Sequence, residues 1–203
     1  YSNDGKKEIL QTFFENRKIG QSLKPVAVTA YDLEARKPIL LSSYGDPEVT
    51  AVNAANASSA APIYFPTASM EDDRWLIDGG IATNNPSLLG YVEARKIFSS
   101  KNIKVLGIGA GLNKRKISGK NSRNWGALGW LRHDILGIML ESSLQNEILK
   151  DLIGDNYLRV NSSIGNVNRR MDDISEKNLE RIKVLADDWW HKYGKKSINF
   201  INS

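Results

Sequence analysis

The stretch "RWLIDGGIATNNPS", residues 74–87, sets the frame for reading this chain. Trp75, Leu76 and Ile77 form an apolar run that predicts a buried strand, and the run stops on a carboxylate, Asp78. Two glycines, Gly79 and Gly80, follow at once. Asp-Gly is above all a turn signature. The same aspartate at a strand end is also where a general base would stand, facing a pocket and not the core. On these residues alone both readings are open.

Working outward, Asn85 before Pro86 marks a helix start, with a side-chain cap and a proline at the first helical position. Leu88, Leu89, Val92 and Ile97 supply its buried stripe. "IKVLGIGAG" (103–111) reads as a second buried strand, and strand–helix–strand spacing argues for a parallel, helix-covered sheet. Upstream, "PVAVTAYDL" (25–33) and "KPILLSSYG" (37–45) read as strands, with "EARK" between them suited to a hairpin. Residues 6–19 place Ile9, Leu10, Phe13 and Phe14 on one helical face. "VTAVNAANASSAA" (49–61) suits a closely packed helix stopped by Pro62.

Past a basic loop, 125–153 reads as a long helix with Leu128, Leu131, Ile135, Ile138, Met139 and Leu149 near helical spacing, and "NYLRVN" (156–161) as a short strand. A last helix opens near 171–178, capped by Ser175 or Asp173, and is expected to bury Leu179, Ile182, Leu185, Trp189 and Tyr193. No internal repeat or low-complexity linker interrupts the chain. The expectation is a single α/β domain over residues 1–203, with a mostly parallel central sheet flanked by helices.

Composition narrows the function classes. The chain has 203 residues, 41% hydrophobic and 25% charged, as in ordinary globular proteins. No apolar run approaches the ~20 residues that span a bilayer. There is no cysteine, so thiolate nucleophiles, disulfides and cysteine zinc sites are excluded. Two histidines, His133 and His191, cannot make a three-histidine metal site, and HExxH is absent, so no metal is expected. The formal net charge is +5, with Lys114, Arg115, Lys116, Lys120 and Arg123 clustered in 113–123. Three readings compete for that loop: a solvated segment, which is the default, a phosphate-binding patch, or a contact to anionic lipid headgroups. As a contact to anionic lipid it would gain ~1 kcal/mol per basic residue near the surface. Without interleaved aromatics it does not suit base stacking, and nucleic acid is not an expected partner.

The glycine string "GIGAG" (107–111) fails as a dinucleotide fingerprint, because the position that must be glycine is Leu112. GxxxxGK[ST] is absent too, and no cofactor is expected. No serine lies in GxSxG, and with two histidines in helical stretches a Ser-His-Asp triad is remote. A serine–aspartate dyad remains, in which a carboxylate takes the hydroxyl proton directly; "LIDGG" supplies the acid half.

At this point "SSAAPIYFPTASMEDDRWLIDGGIATNNPSLLGYVEA" resembles the signature region of patatin-like phospholipases. In that family a proline- and aromatic-containing segment leads to a strand bearing the catalytic Asp-Gly-Gly or Asp-Gly-Ala, then Asn-Pro and a helix. "PVAVTAYDLEARKPILLSSY" is similar to the strand pair before the signature, and "VLGIGAG" to the family's next strand. "WGALGWL" (125–131), "NYLRV" and "MDDISEKNLERI" are similar in order and spacing to the plant patatin end of the family.

The resemblance covers nearly the whole chain. It implies a patatin-like three-layer α/β sandwich, Asp78 as the catalytic aspartate, and Gly79 and Gly80 beside the oxyanion or substrate. It also implies what is missing: the glycine-rich oxyanion loop and the GxSxG serine. The chain therefore resembles the C-terminal portion of such a domain, incomplete on its N-terminal side. By itself it is expected to be inactive, and to need a companion N-terminal segment to cover an otherwise open sheet edge.

Two functional readings follow from the resemblance. One is a portion of a lipid acyl hydrolase of phospholipase A type, cleaving ester bonds of membrane lipids. The other is a catalytically inactive patatin-fold module that docks on membranes or proteins through 113–123 and the tryptophan-bearing last helix. The expected state is a soluble chain, cytoplasmic or secreted, with peripheral membrane contact through 113–123 as a further option; no compartment is fixed.

Overall fold

The computed structural model describes residues 3–100, 102–113, 116–133, 135, 137–138, 144–168, 170 and 172–203. The chain divides into two compact units, Tyr1–Pro86 and Ser87–Ser203.

The first unit opens with helix α1 (Asn3–Phe14), which stops where Glu15 takes a φ of 52°, outside the helical range. The helix thus lies a few residues earlier than the 6–19 expected from spacing. Its buried line also differs: Leu10 and Phe14 are half-buried with Lys6, whereas Ile9 and Phe13 stand 61% and 71% exposed. Residues 6, 10 and 14 repeat every four positions, so one face of the helix carries them all.

Strands β1 (Ala27–Asp32) and β2 (Lys37–Ser42) form the expected hairpin, with Ala27 opposite Ser42 and Asp32 opposite Lys37. Its turn is held from within. The buried Asp32 carboxylate accepts hydrogen bonds from the amides of Glu34 and Ala35, at 3.1 and 2.9 Å. Helix α2 (Ala51–Ser58) starts where the Thr50 hydroxyl accepts from the Asn53 amide at 3.2 Å, and it gives out at Ser59, before Pro62.

Strands β3 (Ala68–Ser69) and β4 (Trp75–Asp78) complete a four-stranded sheet in the order β2-β1-β4-β3. A single helical turn, α3 (Gly80–Thr83), follows β4. The core of this unit lies between the sheet and α2: Ala30, Leu41, Ala68, Met70 and Leu76 meet Ala54, Ala57 and Ala60. The alanines of α2 let the helix backbone come close to the strands. Leu76 and Leu41 supply the bulk, each worth roughly 1.5–3 kcal/mol of burial.

The second unit begins with α4 (Ser87–Ile97), which starts directly after Pro86. Leu88 and Leu89 are half-buried, but Val92 and Ile97 are exposed, so the expected stripe is only partly a core face. Then come β5 (Val105–Ile108), α5 (Gly119–Ser122), α6 (Ala127–Arg132), α7 (Gln145–Ile153), β6 (Tyr157–Val160) and α8 (Glu176–Asn202). β5 and β6 pair in parallel, Val105 opposite Tyr157, and α7 packs on both α4 and β6 with Leu149 fully buried.

The expected long helix over 125–153 is divided. α6 ends at His133, whose φ of −105° and ψ of 26° leave the helical region and whose ring lies 3.9 Å from that of Trp125. Leu136 and Met139–Ser143 lie outside the described residues. Ser175 caps α8 as expected, accepting from the Asn178 amide at 3.4 Å, while Asp173 receives the Ser175 amide. Along α8 the half-buried line is Leu185, Trp189 and Tyr193; Leu179 and Ile182 are 44% exposed, contrary to expectation.

The mixed α/β class stands, but the pairing departs from a mostly parallel sheet. Among the described residues the one parallel strand pair is β5–β6, followed by an isolated parallel bridge between Leu112 and Ser163. The cause is local connection length. The β1–β2 and β3–β4 links are too short for the crossover that parallel neighbours require, so both pairs turn back as hairpins. β4 then lies antiparallel to β1 and does not form the parallel unit with β5 that the spacing implied.

Candidate active site

Asp78 is the last residue of β4, an interior strand of its sheet, with Ala30 of β1 as its cross-strand neighbour. Its backbone amide leaves the ladder to donate to the Ala60 carbonyl just beyond α2, at 3.1 Å. The side chain is half-buried. Its Oδ1 accepts the Gly80 amide at 2.7 Å, a short, charge-assisted contact that fixes the carboxylate over the first turn of α3. The turn reading of Asp78 is met directly: the carboxylate at the strand end accepts the amide two residues on and closes the turn.

The two glycines serve space rather than unusual dihedrals, since neither takes a positive φ. A Cβ on Gly79 would sit 2.4 Å from the Thr29 carbonyl carbon and 2.5 Å from its oxygen, so β1 passes where a side chain would be. A Cβ on Gly80 would sit 3.0 Å from Asp78 Oδ1 and 3.4 Å from Asn84 Oδ1. Gly79 therefore lets the chain hug β1, and Gly80 lets its amide reach the acid. Because the Gly80 N–H is engaged by Asp78, it is an orienting donor for the acid in this state.

A residue that sequence reasoning did not single out is Lys6. Its ammonium reaches the end of α2, donating to the carbonyls of Asn56 and Ser59 at 3.1 and 3.2 Å, and it lies 4.4 Å over the Phe65 ring. Partial burial pushes its pKa below the ordinary lysine value; the Asp78 carboxylate pulls it back up, and Lys7 adds to the lowering. The available signal was its spacing of four from Leu10, which puts a lysine on the buried side of α1.

The glycines of 107–111 have a different task. Gly111 takes a φ of 115°, where a side chain is strained, and a Cβ there would meet Ile164 at 2.2 Å. A Cβ on Gly107 would press on the Ser87 hydroxyl at 2.6 Å. Of the basic loop, Lys116, Lys120 and Arg123 are exposed, and Ser118 caps α5; Lys114 and Arg115 lie outside the described residues. Among the described residues no group of three or more His, Asp or Glu is placed to hold a metal ion, and no helix is long and apolar enough to cross a membrane.

Comparison with known proteins bears on this geometry. Residues 1–89, which contain the whole of β1–β4 and the Asp-Gly-Gly, match the family model described as patatin-like phospholipase. Patatin-like protein 1 of Arabidopsis thaliana is 29% identical over 92% of this chain and 55% of its own length. Patatin-2-Kuras 4 of Solanum tuberosum is 28% identical over 89% of this chain and 58% of its own length. The chain thus spans just over half the length of these curated relatives. The crystal structure of VipD from Legionella pneumophila aligns with a TM-score of 0.41 and 13% identity, over 78% of this chain and 29% of that one. The likeness to patatins runs across most of the chain.

Proposed function

We propose that this patatin-like chain contributes the acid half of a serine–aspartate dyad in a lipid acyl hydrolase of phospholipase A type. The observation that carries the reading is the Asp78 carboxylate at the end of an interior strand, held by the Gly80 amide at 2.7 Å. A general base needs its carboxylate fixed before the substrate arrives, and this bond fixes one oxygen while the group stays half-buried.

In the proposed reaction a serine hydroxyl, borne outside this chain, attacks the ester carbonyl while Asp78 takes the hydroxyl proton. The tetrahedral oxyanion is held by backbone amides of the segment that bears the serine. Collapse expels the lipid alcohol, which receives the proton from Asp78, and leaves an acyl-serine. Water then attacks with Asp78 again accepting a proton, releasing the fatty acid and restoring the serine. In this reading Gly79 keeps the strand end against β1 and Gly80 supplies the amide that holds the acid. The exposed Lys116, Lys120 and Arg123 suit a peripheral contact with anionic lipid headgroups.

The test is the Asp78→Asn exchange in the full-length protein that contains this chain, assayed on a short acyl ester and on phospholipid vesicles. Turnover should fall by about 10³-fold or more with the far-ultraviolet circular dichroism unchanged. Wild-type turnover in Asp78→Asn overturns the assignment.

A further inference from the structure

We propose that Lys6 positions Asp78, acting through the last turn of α2. The inference rests on the reading of Asp78 as the base. The Lys6 ammonium is held by three acceptors at the end of α2: the Asn56 carbonyl at 3.1 Å, the Ser59 carbonyl at 3.2 Å and the Ser59 hydroxyl at 3.4 Å. These carbonyls belong to the end of a helix, where backbone oxygens lack intrahelical donors and the helix dipole is negative, so a cation there ties the last turn down. The residue that follows Ser59 is Ala60, fully buried, and its carbonyl accepts the Asp78 amide at 3.1 Å. One chain of contacts thus runs from the lysine head, through the end of α2, to the peptide of the acid.

Charge strengthens the case. Burial lowers the pKa of the ammonium, and the Asp78 carboxylate offsets part of that lowering. A solvated helix lysine has no reason to lay its head on two carbonyls and an aromatic ring. Lys6 does so on the face of α1 that also carries Leu10 and Phe14, and so fastens the helix to the rest of the unit at the point where the acid is held.

The experiment uses the full-length protein in four forms: wild type, Lys6→Met, Lys6→Arg and Asp78→Asn. With p-nitrophenyl butyrate, Lys6→Met should lose about 10- to 100-fold in kcat with KM within about twofold, and Lys6→Arg should recover most of it, since a slight misplacement of a reacting group costs rate and not binding. A readout independent of turnover is the titration of Lys6 followed by ¹³Cε magnetic resonance. Its midpoint should lie below that of the exposed lysines, and fall further in Asp78→Asn, where the attracting charge is gone. A folded Lys6→Met enzyme with unchanged kcat overturns the positioning role. So does a Lys6 midpoint that is the same in wild type and Asp78→Asn, with Asp78→Asn inactive. Turnover retained in Asp78→Asn overturns the base assignment itself, and the positioning role with it.

Discussion

Adding one methyl group at Gly79 separates the fold from the chemistry. In Gly79→Ala the new carbon meets the Thr29 carbonyl carbon at 2.4 Å, and the Thr29 oxygen and hydroxyl at 2.5 Å. Ordinary carbon contacts lie near 3.5–4.0 Å, so β1 and the end of β4 must part by about 1 Å. The obstacle is backbone inside a hydrogen-bonded sheet, which places the cost near the upper end of the ~1–3 kcal/mol typical of overpacking. Loss of glycine freedom in the unfolded chain returns about 0.4–1 kcal/mol. The net is a loss of about 2 kcal/mol, or roughly 4–8 °C in midpoint for a chain of this size.

Gly80→Ala offers the contrast. Its new carbon meets Asp78 Oδ1 at 3.0 Å, the movable end of a side chain, in a helical turn where alanine is favoured over glycine. Stability should stay within about 0.5 kcal/mol of wild type. On the proposed reading of Asp78 as the base, turnover of a protein that contains this chain and the serine should fall at least about tenfold, because the carboxylate is pushed off its amide. Thermal unfolding by circular dichroism reads the first quantity and ester hydrolysis the second. A Gly79→Ala protein that melts with the wild type, or a Gly80→Ala protein less stable than Gly79→Ala, refutes the reasoning.

Two further outcomes are expected. Gly90 lies within α4 with open space where a Cβ would go, so Gly90→Ala should stabilise the chain by about 0.5–1 kcal/mol in a urea titration. Asp72, paired with Arg74 at 2.7 Å, has its carboxyl held below the ordinary value of 3.8 by the Arg74 hydrogen bond. The pair's contribution is therefore present above about pH 4 and lost as pH falls through the lowered value, so the midpoint gap between wild type and Asp72→Asn should narrow on acidification. With the pair largely solvated, the gap should not exceed about 1 kcal/mol.

How far the sequence could be read depended on the range of the interaction. Capping and turn chemistry are local, so the hairpin at 34–37, the end of α2 before Pro62 and the Ser175 cap were all legible. The Asp-Gly-Gly was legible as a turn and as an acid at a strand end, and it is both. Strand partners were not legible, because the rule that strand–helix–strand spacing makes a parallel pair presumes that β4 and β5 are neighbours, whereas β4 lies between β1 and β3. The buried faces of α1 and α8 were misjudged for a related reason. Apolar residues such as Ile9, Phe13 and Ile182 fit the helical period yet stand in the open, while Lys6 and Asn178 are drawn in by specific carbonyl and turn partners. Periodicity ranks side chains by hydrophobicity and cannot see a hydrogen-bond partner fifty residues away.

The hairpin of β1 and β2 closes over a tight turn between neighbouring segments, whereas β1 and β4 are separated in the chain by β2, α2 and their flanking loops. Hairpins of this kind close in about 1–10 μs, and pairings between distant segments come later because a larger loop must first be shut. During refolding, and during emergence from the ribosome, the template strand is therefore waiting before the carboxylate arrives. By loop length alone, the pairing that seats Asp78 beside Ala30 closes a larger loop than the hairpin does. A partly folded chain can carry the β1–β2 hairpin and still lack the turn that Asp78 closes with the Gly80 amide.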